Sequence, residues 1–569
     1  VTVAIEGFQI KILTFVYNIV SKFLQFLWVG PLFYWRFSGF RPQKILVHPI
    51  DLRIADSGMA HEFYHGRFTF AGRIVQSGSS SPFSCVSPTA EWERALHDFH
   101  WLRHMTAAKS QLATAHARFL IEDWLDHTGK KARGLPWEGA VVARRLIAWV
   151  CHSQMLLDGA SSRFEKRFLH TLGFHFRYLR IIILGMKNND HRLHVAIAIA
   201  FASLTLPVSA AIKKKAQACL VRELSRQILT DGGHISRNPA VMLNILPDLL
   251  SLRRLYINSQ DIAPRVLIDT VERMLPALRF LFMKIKHWLI LMELGRFRRS
   301  FLSSILKFDE TTGNSFGCAR YSGFQRLHAH QTTVLADTGR FPAHFVAEHA
   351  CSGCLSFEMS SRGSRFIINA GVDPYGHEDY RHFGRITAAH STATLNDCSV
   401  GVFRKAKNKD VSFLLNGPTD VKVQRIEDTQ KIGFIACHNG YLSSFDLLHE
   451  RGLILTTDGE MIEGFDRFFT PCHGNTGKNG NSRDESNIVA VRFHLHPKVE
   501  VNYDGNSARL AVAGGAVWNF VSLDTDIYLE DSIDFAELTG PQRTQQIVLY
   551  FRPALQEKVR WRFVRLESK

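Results

Sequence analysis

Acidic side chains are in short supply. The 569 residues hold 52 Asp and Glu against 69 Lys and Arg, a formal charge of +17 before 27 histidines are counted. An excess of this kind favours polyanionic partners through long-range attraction: nucleic acid, an anionic membrane surface or an acidic polysaccharide. No RNP motif, homeodomain pattern or zinc-finger spacing is present, so nucleic acid is not expected as a partner. Cysteine is sparse and odd in number, nine residues scattered from Cys85 to Cys472. That excludes a disulfide framework and points to reduced or buried thiols. The close pair Cys351-Ser-Gly-Cys354 has no second CxxC and no thioredoxin-like βαβ context, which argues against a zinc ribbon or a redox motif. Internal repeats and low-complexity tracts are also absent.

No unbroken apolar run is long enough to span a bilayer comfortably. The stretch from Ile10 to Trp35 is strongly apolar, but Lys11 and Lys22 interrupt it and no small-residue cleavage site clearly follows, so a signal peptide is not expected. It reads either as an amphipathic helix with membrane-surface contact through residues 10–35 or as a helix packed on the next domain.

The 46% hydrophobic and 21% charged composition suits ordinary globular cores, in about two or three domains. Residues 1–90 form a leader with the apolar helix and short alternating pieces (His61 to Val75) that suggest a small hairpin. Over residues 91–310 the period becomes helical. Trp92 to His127 carries Leu96, Phe99, Leu102 and Met105 at helical spacing, and further helices follow at Glu138–Leu157, Arg163–Gly185, Leu193–Leu204, Ala210–Leu229, Pro239–Ile257 and Ala263–Glu293. Short breaks at Gly, Asn and Pro indicate antiparallel helical hairpins able to curl into an incomplete α/α toroid. Over residues 311–569 the pattern changes to short strands rich in β-branched and aromatic residues, such as Val334–Asp337, Ile432–Cys437, Ile488–His494 and Gln546–Phe551. This predicts an antiparallel β-sandwich. The expected fold is thus α+β and multidomain, with His473 to Ser486 as a long polar loop.

Early in the β half come E-H-A-C-S-G-C-L-S-F-E (Glu348 to Glu358), F-I-I-N-A-G (Phe366 to Gly371) and A-A-H-S-T-A-T-L-N-D (Ala388 to Asp397). They read as a hairpin, a loop and another strand, with His349 and His390 at strand ends. A helical half followed by L-S-F-E, I-N-A-G and A-H-S-T resembles the heparinase II/III family of polysaccharide lyases, whose members carry G-H-G-H-P-D-Q-L-S-F-E, V-D-P-G and A-H-N-T-V. The match is sharp over residues 345–398 and weaker at Asp231-Gly-Gly-His234 and Arg492-Phe-His-Leu-His-Pro497.

The resemblance implies β-elimination on an acidic, uronate-containing polysaccharide such as a glycosaminoglycan. Such a reaction needs a group to neutralise the carboxylate, a base for the α-proton and an acid for the leaving oxygen. His349 matches the first His of the family strand and is the candidate acid or base, or else a strand-end imidazole bonded to a loop. His390 matches the family's metal-binding His. Its companions fall on Cys351 and Asn369, a poor set for a hard cation and an incomplete one for zinc, so a divalent metal (Zn or Ca) is raised but not well supported. Asn189 stands at the neutralising asparagine, with His191 and Arg192 beside it, unless the cluster merely caps the next helix. In Asp231 to Val241 the family's catalytic tyrosine falls on Val241, which cannot move a proton. Either His234 takes over beside Arg237 and Asn238, another tyrosine (Tyr178, Tyr375 or Tyr380) reaches in, or the protein binds polysaccharide without cleaving it. Arg145 of the Arg144-Arg145 pair, with Trp149 a turn away, offers a carboxylate ligand and a sugar-stacking ring, or plain packing. Arg492, His494 and His496 share one strand face, lining a cleft or lying on the outer sheet. The resemblance implies a cell-envelope or periplasmic location; the cysteine pattern would equally suit the cytoplasm. A non-catalytic glycan-binding or envelope-assembly protein is the alternative on the same fold.

Overall fold

The computed structural model describes residues 39–129, 132–281, 305, 316–372, 378–405, 412–471, 485–536 and 540–566. The apolar run 10–35, Tyr375 and nearly all of the polar loop after His473 lie outside them. The chain forms two compact units: residues 1–227 with 244–271, and residues 228–243 with 272–569.

The first unit is helical. Its helices include Ala90–His97, Leu102–Ala108, Gln111–His127, Gly139–Cys151, Ser162–Ile182, Asp190–Thr205 and Ala210–Gln227, and the expected small hairpin pairs Arg67–Phe70 with Arg73–Gln76. Side-chain caps start several of these helices: Thr89 accepts from the Trp92 amide, Ser110 from Ala113 and Ser161 from Phe164. The span 92–127, expected as continuous, is broken where Phe99 and Lys109 adopt positive φ (59° and 48°), a conformation that ends a right-handed helix. Helix Asp190–Thr205 is buried on every side from Leu193 onward. Its alternating alanines (Ala196, Ala198, Ala200, Ala202) let helices Gly139–Cys151 and Ala210–Gln227 pack closely against it.

The second unit is a sandwich of two antiparallel sheets. One runs Val421–Glu427, Lys431–His438, Leu448–Thr456, Met461–Phe469, Lys558–Leu566, Val517–Ser522, Ser507–Ala511, Glu500–Tyr503. The other runs Ile527–Asp534, Gln542–Phe551, Val489–Leu495, Ser364–Ile368, Phe357–Ser361, Thr332–Asp337, Phe324–Ala329, Cys318–Ala319, and Ala393–Leu395 also pairs with Val489–Leu495. Residues at period two from both sheets fill one core: Phe357 stacks on Trp561 at 5.7 Å, and Phe493 meets the same indole edge-on at 4.9 Å. The chain is therefore a helical toroid unit followed by an antiparallel β-sandwich.

Candidate functional site

In the second unit, Asp231-Gly-Gly-His234 is a fixed turn. Asp231 Oδ2 accepts from the amides of Tyr321 and Ser322 at 2.8 and 2.7 Å, and Oδ1 from the Ser322 hydroxyl at 2.7 Å. Gly232 has φ +86°, and a Cβ on Gly233 would overlap the Ser322 hydroxyl, so the turn requires glycine at both places. His234 is 1% exposed. Its Nδ1 lies 2.7 Å from Ser236 Oγ and 3.1 Å from the Ser236 amide, and its backbone bridges Ile228. Sequence reading placed this imidazole on the toroid side; by its contacts it belongs to the sheet-bearing unit.

Arg237 is likewise consumed in structure. Its guanidinium pairs with Asp337, donates to the carbonyls of Ser322 and Arg340 at 2.7 and 2.9 Å, and lies over Phe324 at 4.9 Å. Asn238 Oδ1 accepts from the Ala240 amide at 2.8 Å, a cap on the helix beginning at Pro239. Val241, which the motif resemblance set against the family tyrosine, is buried.

His349 lies in an exposed turn rather than at a strand end. Arg385 clasps that turn by donating to the carbonyls of Ala350 and Ala347 at 2.9 and 3.5 Å. His390 is buried with Nδ1 2.8 Å from the Ile386 carbonyl, and burial pushes its pKa down to about 4. Asn369 Oδ1, the atom that would ligate a cation, instead accepts from the Ser391 amide at 2.9 Å, and Nδ2 points at Glu358. Cys351, Asn369 and His390 do not fit a metal, and among the described residues no group of three His, Cys, Asp or Glu is disposed to hold one. Asn369 and His390 instead hold the backbone and side chains around the hairpin.

In the first unit, Asn189 is a helix cap: its Oδ1 accepts from the Arg192 amide at 3.3 Å. Arg192 donates Nε to Glu223 at 2.9 Å and Nη1 to the Met186 carbonyl at 2.8 Å. Its charge is met by a carboxylate that is itself fully buried, which leaves it unsuited to neutralising a uronate. His191 is partly exposed, 4.0 Å from Asp190. Arg145 is wholly buried, donating to the carbonyls of His97 and Pro136 at 2.9 Å each and lying 4.3 Å over Trp124. Burial lowers its pKa to about 9. Trp149 is 0% exposed. Arg145 and Trp149 are therefore core, not sugar ligands. Tyr178 is also core, its hydroxyl donating to the Trp137 carbonyl at 2.6 Å.

Arg492, His494 and His496 are buried as well: Arg492 pairs with Asp397 at 2.8 Å, and His494 bridges Ser532 and the Ala388 carbonyl at 2.7 and 2.9 Å. Sequence reasoning missed a further buried set, His438, His449, Arg451 and Asp466, spread over three adjacent strands. The histidines stand in register across two strands, a signal visible only once the pairing is known.

Comparison with known proteins agrees with this architecture. Residues 311–562 match the family described as Heparinase II/III-like, C-terminal. The fold of the whole chain is that of heparinase III (TM-score 0.70, 14% identity, 94% of this chain and 88% of that one) and of a mutant of the heparan sulfate lyase HepC from Pedobacter heparinus (TM-score 0.64, 16% identity, 96% and 89%). FtsZ-localized protein C of Caulobacter vibrioides is 26% identical over 545 residues, covering 93% of this chain and 91% of that protein. Residues 311–562 are thus similar to the Heparinase II/III-like C-terminal family, and the chain shares the fold of these lyase structures.

Proposed function

We propose that the protein uses the lyase fold to bind an acidic, uronate-containing glycan at the cell envelope without cleaving it. The reading rests on the motif resemblance that sets Val241 at the family's catalytic tyrosine, and it is supported by the burial of Val241 and of the imidazole nearest in sequence, His234, which is bonded to Ser236. A valine has no proton to move, and a shielded imidazole does not meet a sugar. The Caulobacter relative supports the same reading, because its name defines a protein by association with FtsZ rather than by a reaction. The net charge of +17 supports a polyanionic glycan as the partner.

The test is incubation with heparan sulfate, polygalacturonate and alginate while ultraviolet absorbance from an unsaturated uronate is followed. Retention of at least one polymer on the immobilised protein with no absorbance rise is the expected result; a steady rise overturns it. A second reading, elimination with His349 as acid or base, draws on the exposure of that imidazole in its turn. It requires the rise to vanish in His349→Ala.

A further inference from the structure

The outer face of the eight-stranded sheet is not the polar surface that an open antiparallel sheet turns to water. On strand Leu448–Thr456 the side chains of His449, Arg451, Leu453 and Leu455 are buried in the sandwich, so alternation puts Gly452 and Ile454 on the outside. The register extends that face: Gly452 stands between Ile435 and Phe465, and Gly433 between Ile426 and Ile454. A Cβ on Gly452 would come within 2.2 Å of the Phe465 ring, and one on Gly433 within 2.9 Å of Ile454 Cγ1. Covering a strand glycine accounts for those contacts. It does not account for Ile426, Ile435, Ile454 and Phe465 adjoining as one apolar floor, each half-buried rather than covered.

A basic ridge borders the floor. Strand Lys558–Leu566 sets Lys558 opposite Arg467, Arg560 opposite Phe465 and Arg562 opposite Glu463. Val559, Trp561 and Phe563 enter the core, which leaves Lys558, Arg560 and Arg562 outside at intervals of about 7 Å. Lys558 and Arg560 are exposed and Arg562 partly so; only Nε of the Arg562 guanidinium is shielded. Arg560 is held by Asp524 and Arg467 by Glu557, at 2.6 Å each. Lys558 and Arg562 form no ion pair among the described residues, and Lys558 Nζ rests 3.8 Å from the centroid of the Phe465 ring. Glu463 is exposed and pairs with neither. An apolar strip and unpaired cations thus lie side by side.

We infer that this face docks an acidic peptide segment of a partner protein, its apolar side chains on Ile435, Ile454 and Phe465 and its carboxylates on Lys558 and Arg562. Charge complementarity sets the sign of the partner. The floor selects a peptide over a sugar chain, whose hydroxyls would meet side chains unable to hydrogen-bond them. With Lys558 over it, the Phe465 ring is not open for stacking on a sugar face. A central apolar strip with a charged rim is the usual anatomy of a protein interface. The inference does not rest on the glycan reading.

The experiment is fluorescence anisotropy on the full chain. Its probes are a short peptide alternating Glu and Leu, a Glu-only peptide of the same length and a heparin fragment. The alternating peptide should bind, and more tightly than the Glu-only one. Lys558→Gln with Arg562→Gln should weaken it about tenfold, and Lys558→Gln alone, outside the core, by part of that. Ile454→Thr should reduce the alternating peptide to the affinity of the Glu-only one. Arg543→Gln removes an exposed charge from the other sheet and should change nothing. All these variants should melt with the wild type. Failure of both peptides to bind overturns the inference, as does equal binding of the two. An equal loss in Arg543→Gln also overturns it, assigning the effect to net charge. Loss of heparin together with the peptide in the double variant would give the face to a glycan and overturn it too. Heparin held equally by wild type and double variant, with the peptide lost, supports the inference and leaves the glycan reading standing on its own.

Discussion

His449 donates its Nε2 proton to Asp466 Oδ1 at 2.8 Å in the interior of the sandwich, both side chains fully shielded from solvent. The proton positions along this chain follow from its far end. The Gly440 amide donates to His438 Nδ1 at 3.0 Å, so His438 carries its proton on Nε2 and gives it to His449 Nδ1 at 3.1 Å. Each imidazole holds one proton, and a second on either would set two N–H groups against each other or against a backbone donor.

Stability should therefore fall in acid. The pKa values of His438 and His449 are depressed by burial from the ordinary 6.5, and His390 is brought to about 4 and His494 to about 3 by the same cause. Below 6.5 the unfolded chain takes up protons that the folded chain refuses, so each such histidine removes stability as pH drops toward its folded value. The slope is at most about 1.4 kcal/mol per pH unit per group. Asp466, held near 2 chiefly by Arg451 against the opposing effect of burial, adds a loss between its ordinary 3.8 and that value. Thermal melts from neutral to mildly acidic pH should show a steep decline, and His449→Phe a shallower one; a flat profile contradicts the relay.

Arg451 grips Asp466 through Nε and Nη2 at 2.9 and 3.0 Å, and the Trp561 indole donates to the same carboxylate at 3.0 Å. Asp466→Ala leaves a buried guanidinium without its counter-charge. It should cost about 3–5 kcal/mol in denaturant unfolding, the range for a broken buried pair. A cost below about 1 kcal/mol would show that the pair is hydrated.

Gly233→Ala should destabilise by about 1–3 kcal/mol, because the added methyl overlaps Ser322 in a turn already pinned by Asp231. Gly185→Ala, with nothing within 4 Å of the new Cβ, is the control and should melt like the wild type. Equal melting of both variants would mean that the turn can relax.

Val241→Tyr installs a tyrosine where the motif resemblance sets one but must insert a ring where the side chain is 7% exposed. It should lose about 1–3 kcal/mol by overpacking and gain no elimination activity. Appearance of unsaturated product in this variant would show that the remaining machinery is intact.

The change from helical to strand periodicity was legible in the sequence, and so was the hairpin around Leu355 to Asn369. The strand Lys558–Leu566 was missed although Val559, Trp561 and Phe563 alternate with Lys558, Arg560 and Arg562 in plain view. Met461–Phe469 was missed for a physical reason: Asp466 points inward, where only its partner Arg451 on the neighbouring strand makes a charge tolerable. The candidate site was less legible. Asn189 and Asn238 have the chemistry of sugar ligands and of helix caps alike, and only the positions of the Arg192 and Ala240 amides decide between them. Arg145 and Trp149 are polar or amphipathic on paper and buried in fact, with the His97 and Pro136 carbonyls accepting from Arg145 Nη1 inside the helical unit.

The most direct measurement is mass spectrometry of heparan sulfate recovered from immobilised protein after prolonged incubation. Retained polymer of unchanged length with no unsaturated ends is the expected result. Shortened chains bearing a new double bond, lost in His349→Ala, would contradict it and restore the elimination reading.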